Sequence, residues 1–134
     1  MRQKLIYLLL VILSISLSSC SDGPINKITI QNLADGDVIL NFRGSQIEVL
    51  SQSTVVLQDI DKGEYEYETV FSLPYGITTF DSQGDMTGTF TLRAGTKISV
   101  IYTSVTSEDT YTIYASVITS DDLSEGILPD PIGN

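Results

Sequence analysis

The chain has 134 residues, with 7 Lys and Arg against 17 Asp and Glu for a formal net charge of −10, no histidine and a single cysteine. An acidic surface of this kind repels phosphate backbones, which excludes nucleic acid as a partner. The lack of histidine removes the commonest general base and zinc ligand, and one cysteine forms no intrachain disulfide, so the fold rests on its apolar core.

The chain opens with a basic head, Arg2 and Lys4, followed by an almost pure Leu/Ile/Val run from Leu5 to Leu13. A basic n-region, an apolar h-region and small residues before a cut are the build of a secretory signal. A membrane-spanning helix would need about 20 apolar residues, more than this run offers. Residues 1–19 are therefore read as a signal helix. Leu17-Ser18-Ser19-Cys20 then resembles the lipobox of bacterial lipoproteins, in which Leu and two small residues precede a Cys. The resemblance implies cleavage before Cys20, a diacylglycerol thioether on its sulfur, and a further acyl chain such as palmitate on the new N-terminus. The alternative is an ordinary secreted protein with a spare thiol, for which the chain has no structural use. Two or three acyl chains act together at about 0.8 kcal/mol per buried CH₂, which would hold the protein firmly to a bilayer. Ser21 after the Cys resembles the outer-membrane sorting pattern of diderm bacteria, and "CSDG" partly resembles the surface-export tag of Bacteroidota lipoproteins. Both imply an outer-membrane location facing the periplasm or the cell surface.

Cleavage at Cys20 leaves 115 residues, in which five basic residues (Lys27, Arg43, Lys62, Arg93 and Lys97) face all 17 acids for a net charge of −12. Residues 20–25 read as a lipidated tether, residues 26–120 as one folded domain, and residues 121–134 as a disordered acidic tail with Pro129 and Pro131. The domain alternates apolar and polar residues between regular turn signals, the mark of an all-β, antiparallel Ig-like sandwich of about seven to eight strands. "KITIQ", "VILNF", "QIEVL" and "TVVLQ" are the first four strands. "EYEYETVFSL" follows, with Tyr65, Tyr67, Thr69, Phe71 and Leu73 facing the core and Glu64, Glu66 and Glu68 facing water. After a connection, "PYGITTFDSQGD", comes "MTGTFTL". The last two strands, "KISVIYTSV" and "YTIYASVIT", carry apolar residues on both faces and are expected to be central and buried on both sides.

Asp61-x-Gly63-x-Tyr65 resembles the tyrosine corner of Greek-key sandwiches, and the Gly-x-Tyr strand openings of small Ig-like and carboxypeptidase-regulatory-like modules. The resemblance makes Tyr65 structural, its hydroxyl bonding to backbone just upstream. Were calcium bound, Asp35, Asp37, Asp59 and Asp61 are the loop acids that would converge on it. Asp and Gly serve turns equally well, so the expectation is no metal and no cofactor. A carboxylate pair within Glu64, Glu66 and Glu68 could serve a hydrolase only in a cleft that raises one pKa. In "LPYGITTF", Pro74, Tyr75, Ile77 and Phe80 form a candidate contact loop, although Ile77 and Phe80 also suit a fold back onto the core or an extra short strand. The functional expectation is a non-catalytic, membrane-anchored lipoprotein that acts as an accessory or interaction module of the cell envelope, with the membrane and an envelope protein as partners. A glycan- or small-ligand-binding lipoprotein with Tyr75 as a stacking platform is the alternative, and a hydrolase the second.

Overall fold

The structure, a computed structural model, describes residues 25–121. The signal segment, Cys20 and the tail from residue 122 onward lie outside the described residues. Nine strands follow one another: β1 (Lys27–Asn32), β2 (Val38–Phe42), β3 (Ser45–Val49), β4 (Ser53–Gln58), β5 (Gly63–Phe71), β6 (Thr79–Gly84), β7 (Thr87–Leu92), β8 (Thr96–Ser107) and β9 (Thr110–Asp121). They form a five-stranded sheet in the order β4-β1-β8-β9-β6 and a four-stranded sheet in the order β3-β2-β5-β7. The chain is an all-β sandwich, as its period-two pattern predicts.

Alternation puts one side of each strand into the space between the sheets. Ile28 and Ile30 of β1, Val38, Leu40 and Phe42 of β2, and Ile98, Val100 and Tyr102 of β8 are all buried there. Each such side chain contributes about 1.5–3 kcal/mol by leaving water. Aromatic rings fill the four-stranded side, with Tyr67 stacked on Phe90 at 4.1 Å and Phe90 edge-on to Phe42 at 5.6 Å. Across the core the Tyr102 hydroxyl shares a 2.7 Å hydrogen bond with the Thr69 hydroxyl, so the two sheets are joined by a polar tie. Burial pushes the Tyr102 phenol up to about 12, the Thr69 bond opposing that rise and Tyr67 adding to it.

Two buried asparagines hold the ends of β1. Asn32 donates to the carbonyls of Gly36 (2.9 Å) and Val49 (3.0 Å) and accepts from the Ala34 amide (3.0 Å). Asn26 donates to the Ile60 carbonyl at 2.9 Å and accepts from the Thr96 amide at 2.8 Å. Both side chains are thereby matched with partners, as buried amides must be. Gly36 is needed in the turn that Asn32 organises, because a Cβ there would run into the Ser72 carbonyl.

Tyr65 donates from its hydroxyl to the Asp61 carbonyl at 2.7 Å, the geometry its resemblance to a tyrosine corner implies. Its ring is half-buried and carries the Arg43 guanidinium 5.5 Å from its centroid. Arg43 and Gly44 both have positive φ (56° and 71°), as a two-residue hairpin turn between β2 and β3 requires.

Three expectations need correction. The five-stranded sheet is mixed rather than antiparallel: β1 runs parallel to β8, and β6 runs parallel to β9. The chain changes sheet between β1 and β2 and on both sides of β6, so these strands cannot pair with their chain neighbours and flank the β8–β9 hairpin instead. The segment expected to be a connection contains β6, the extra short strand that Phe80 also suits, which brings the strands among the described residues to nine. Finally, β8 and β9 are central, but only one face of each is buried. Ile101 is half-buried and Val105 is 56 % exposed, because no layer of the described residues covers the outer side of their sheet.

Candidate interaction surface

The sandwich presents two outer faces of opposite chemistry. On the four-stranded sheet the outward residues are Glu64, Glu66, Glu68 and Val70 of β5, Ile39 and Asn41 of β2, Gln46 and Glu48 of β3, and Thr87, Thr89 and Thr91 of β7, as the cross-strand registers set them. Asn41, Glu66, Glu68, Thr87 and Thr89 floor a shallow groove of about 580 Å³ that Arg43 borders at one end. This groove is open to solvent along its length.

The five-stranded sheet turns a different surface outward. Its outward residues include Thr29 and Gln31 on β1, Thr54 and Val56 on β4, and two sets on the central hairpin. Ser99, Ile101, Thr103 and Val105 of β8 stand directly opposite Ile118, Ser116, Tyr114 and Thr112 of β9. Each rung therefore pairs one large apolar or aromatic residue with one small hydroxyl residue, and the large one changes strand from rung to rung. Ile118, Ile101, Tyr114 and Val105 form a zigzag along the hairpin, with Ile118 57 % exposed and Tyr114 38 % exposed. Val56 on the edge strand β4 is exposed as well. Among the described residues the charges on this face are Lys27 and Lys97 at one end and Asp81 on the β6 edge.

The residues singled out from sequence fall as follows. Cys20 lies outside the described residues. The contact-loop residues separate: Pro74 accepts from the Ile77 amide at 3.1 Å, closing a turn with Tyr75 wholly exposed at its tip. Ile77 packs against the core, and Phe80 belongs to β6, edge-on to Phe71 at 5.6 Å. The segment thus offers two separate exposed aromatic rings, Tyr75 at the turn and Phe80 on the β6 edge, rather than one continuous apolar edge.

The four loop acids do not converge. Asp35 and Asp37 follow the end of β1, whereas Asp59 and Asp61 sit beside its start, with Ile25 and Arg93 around one depression. The strand between them spans about 20 Å. Asp37 is engaged locally, accepting from the Ser51 amide at 2.8 Å. No group of three or more acidic or thiol side chains among the described residues is placed to hold a metal ion.

Sequence reasoning misses the outward zigzag and the two asparagines. The first has a signal, apolar residues on both faces of the last two strands, but the same signal fits double burial. No family model matches this chain, and no curated protein matches it.

Proposed function

We propose that the protein is a non-catalytic lipoprotein, anchored at the bacterial outer membrane through lipid on Cys20, that works as an interaction module of the cell envelope. The observation that carries this is the lipobox-like Leu17-Ser18-Ser19-Cys20 directly behind a basic head and an apolar run. The domain is compatible with it in two ways. First, β1 begins seven residues after Cys20, so a short tether joins lipid to fold. Second, Lys27, Arg43, Lys62, Arg93 and Lys97 all belong to the end of the sandwich where β1 starts, beside Asp59, Asp61 and Glu64, whereas the other end holds Asp35, Asp37, Glu108 and Asp109 and no cation among the described residues. The end that carries the cations would face headgroups and the acidic end the aqueous space. A non-catalytic role is supported by the absence of histidine and by the open, shallow character of the acidic groove.

The test is fractionation of cells that express the native chain or Cys20→Ala. The native chain should partition with membranes and into detergent, and the variant should be soluble or unprocessed. Equal membrane retention of the two would refute lipid anchoring. A second reading, a glycan-binding lipoprotein, draws on the wholly exposed Tyr75 ring, which could stack on a sugar face. Polysaccharide affinity that Tyr75→Ala abolishes would favour it.

A further inference from the structure

We infer that the outer face of the five-stranded sheet is where a second copy of this chain docks, through a two-fold axis lying along the seam between β8 and β9. This rests on reading that face as the interaction surface, and it does not depend on the lipid anchor.

Ser99 faces Ile118, Ile101 faces Ser116, and Thr103 faces Tyr114 across the hairpin. A two-fold rotation about the seam lays β8 of one copy over β9 of the other at the same level. Ile118 then meets Ser99 of the second copy, Ile101 meets Ser116, and Tyr114 meets Thr103. A large side chain meets a small one at every rung. The surface is complementary to itself, as an isologous interface must be. Aligned sheets stack about 10 Å apart at roughly −30°, so the match holds over the central rungs and relaxes toward the ends.

Charge points to the same occupant. Two copies that each carry −12 after cleavage repel one another over most of their surface. The face of the four-stranded sheet would oppose Glu48, Glu64, Glu66 and Glu68 to the same residues. Among the described residues the zigzag face carries no carboxylate on β4, β1, β8 or β9, so like copies can meet there. Its extent is also sufficient. Five strands span about 24 Å and the hairpin about 40 Å, which allows on the order of 700 Å² per copy, near the usual size of a stable interface. The axis runs along the strands, so residue 25 of both copies leaves from the same end. Two anchors in one bilayer are compatible with that arrangement.

The test is sedimentation equilibrium of the full chain in density-matched detergent, from about 1 to 100 µM, a range that brackets micromolar affinity. A reversible dimer is expected, and it should tighten as salt screens the repulsion between copies. Ile118→Ser sets small against small and Ser99→Ile sets large against large, so each should weaken dimerisation by about tenfold or more. The double variant, Ser99→Ile with Ile118→Ser, exchanges the two roles within one rung. It should return to within about threefold of the native affinity. If one of these fails to melt cooperatively, the same cycle on Ile101 and Ser116 replaces it. A monomer throughout, or two single effects that simply add in the double variant, overturns the inference. So does a chain that dimerises only once residues 122–134 are removed, because its own tail would then be the occupant. Any of these failures, with membrane partition still dependent on Cys20, would leave the lipoprotein reading standing.

Discussion

The two outer faces are built from strands of the same kind over one shared core, yet they solve opposite problems. The four-stranded face sets Glu48, Glu64, Glu66 and Glu68 among threonines, amides and the apolar pair Ile39 and Val70, and those carboxylates keep a sheet in water and discourage pairing with other chains. The hairpin at the centre of the five-stranded face fills its outward positions with serine, threonine and four large apolar groups, Val56 adds a fifth on β4, and charge lies at the margins. Inward positions are similar in the two sheets, so burial alone does not distinguish the layers. What differs is the partner each outer face anticipates: solvent for one, and a surface without charge for the other.

That contrast presumes a shared interior that supports both faces equally, and Phe90→Ala tests it. Phe90 is 1 % exposed and stacks on Tyr67, so its truncation should cost about 3–5 kcal/mol in denaturant unfolding. A loss under about 1 kcal/mol would mean that the four-stranded layer is held mainly by its backbone ladders.

The next effect comes from the tie between the sheets. Tyr102 titrates at about 12 in the folded state against an unperturbed 10.0. Because the folded value is raised, its contribution is complete below pH 10 and disappears as pH climbs through the folded pKa. Roughly 2–3 kcal/mol should vanish across that window, and Tyr102→Phe should flatten this slope in unfolding measured against pH. An unchanged slope in the variant would place the alkaline sensitivity elsewhere.

The smallest effect sharpens the contrast directly. Glu66→Gln, on the open acidic face, should shift stability by no more than about 0.5 kcal/mol and leave the oligomeric state untouched. Ile118→Ser should be just as mild in unfolding, yet strong in association. If Glu66→Gln altered self-association as much as Ile118→Ser does, the division of labour between the faces would be wrong.

Much of this fold is legible from alternation. Ile28 and Ile30, Val38 and Leu40, and the tyrosine and glutamate sides of β5 all lie where a period of two places them. The Tyr65 corner is legible too, since it depends only on spacing within a few residues. β6 is legible only as the extra short strand that Phe80 suits, because all six of its residues are exposed and alternation leaves no trace without a buried side. The parallel pairings are not legible, because they follow from where the chain changes sheet and not from any local pattern. The apolar residues of β8 and β9 are visible but ambiguous. A strand covered by a second layer of its own chain and a strand awaiting another molecule carry the same letters. Asn26 and Asn32 read as ordinary polar residues, and only the carbonyls they meet reveal that they fasten the ends of β1.

The placement of β1 has a mechanical consequence. It lies between β4 and β8, with six residues in register on either side, and the chain enters it from the end at which residue 25 emerges. A pull on that end acts along the strand. It loads both ladders in shear, so their hydrogen bonds share the force and must yield together. The β8–β9 hairpin, pulled open from its free end, would instead unzip rung by rung. If the domain is held through lipid on Cys20, as proposed, it would meet drag and jostling through a strand paired on both sides.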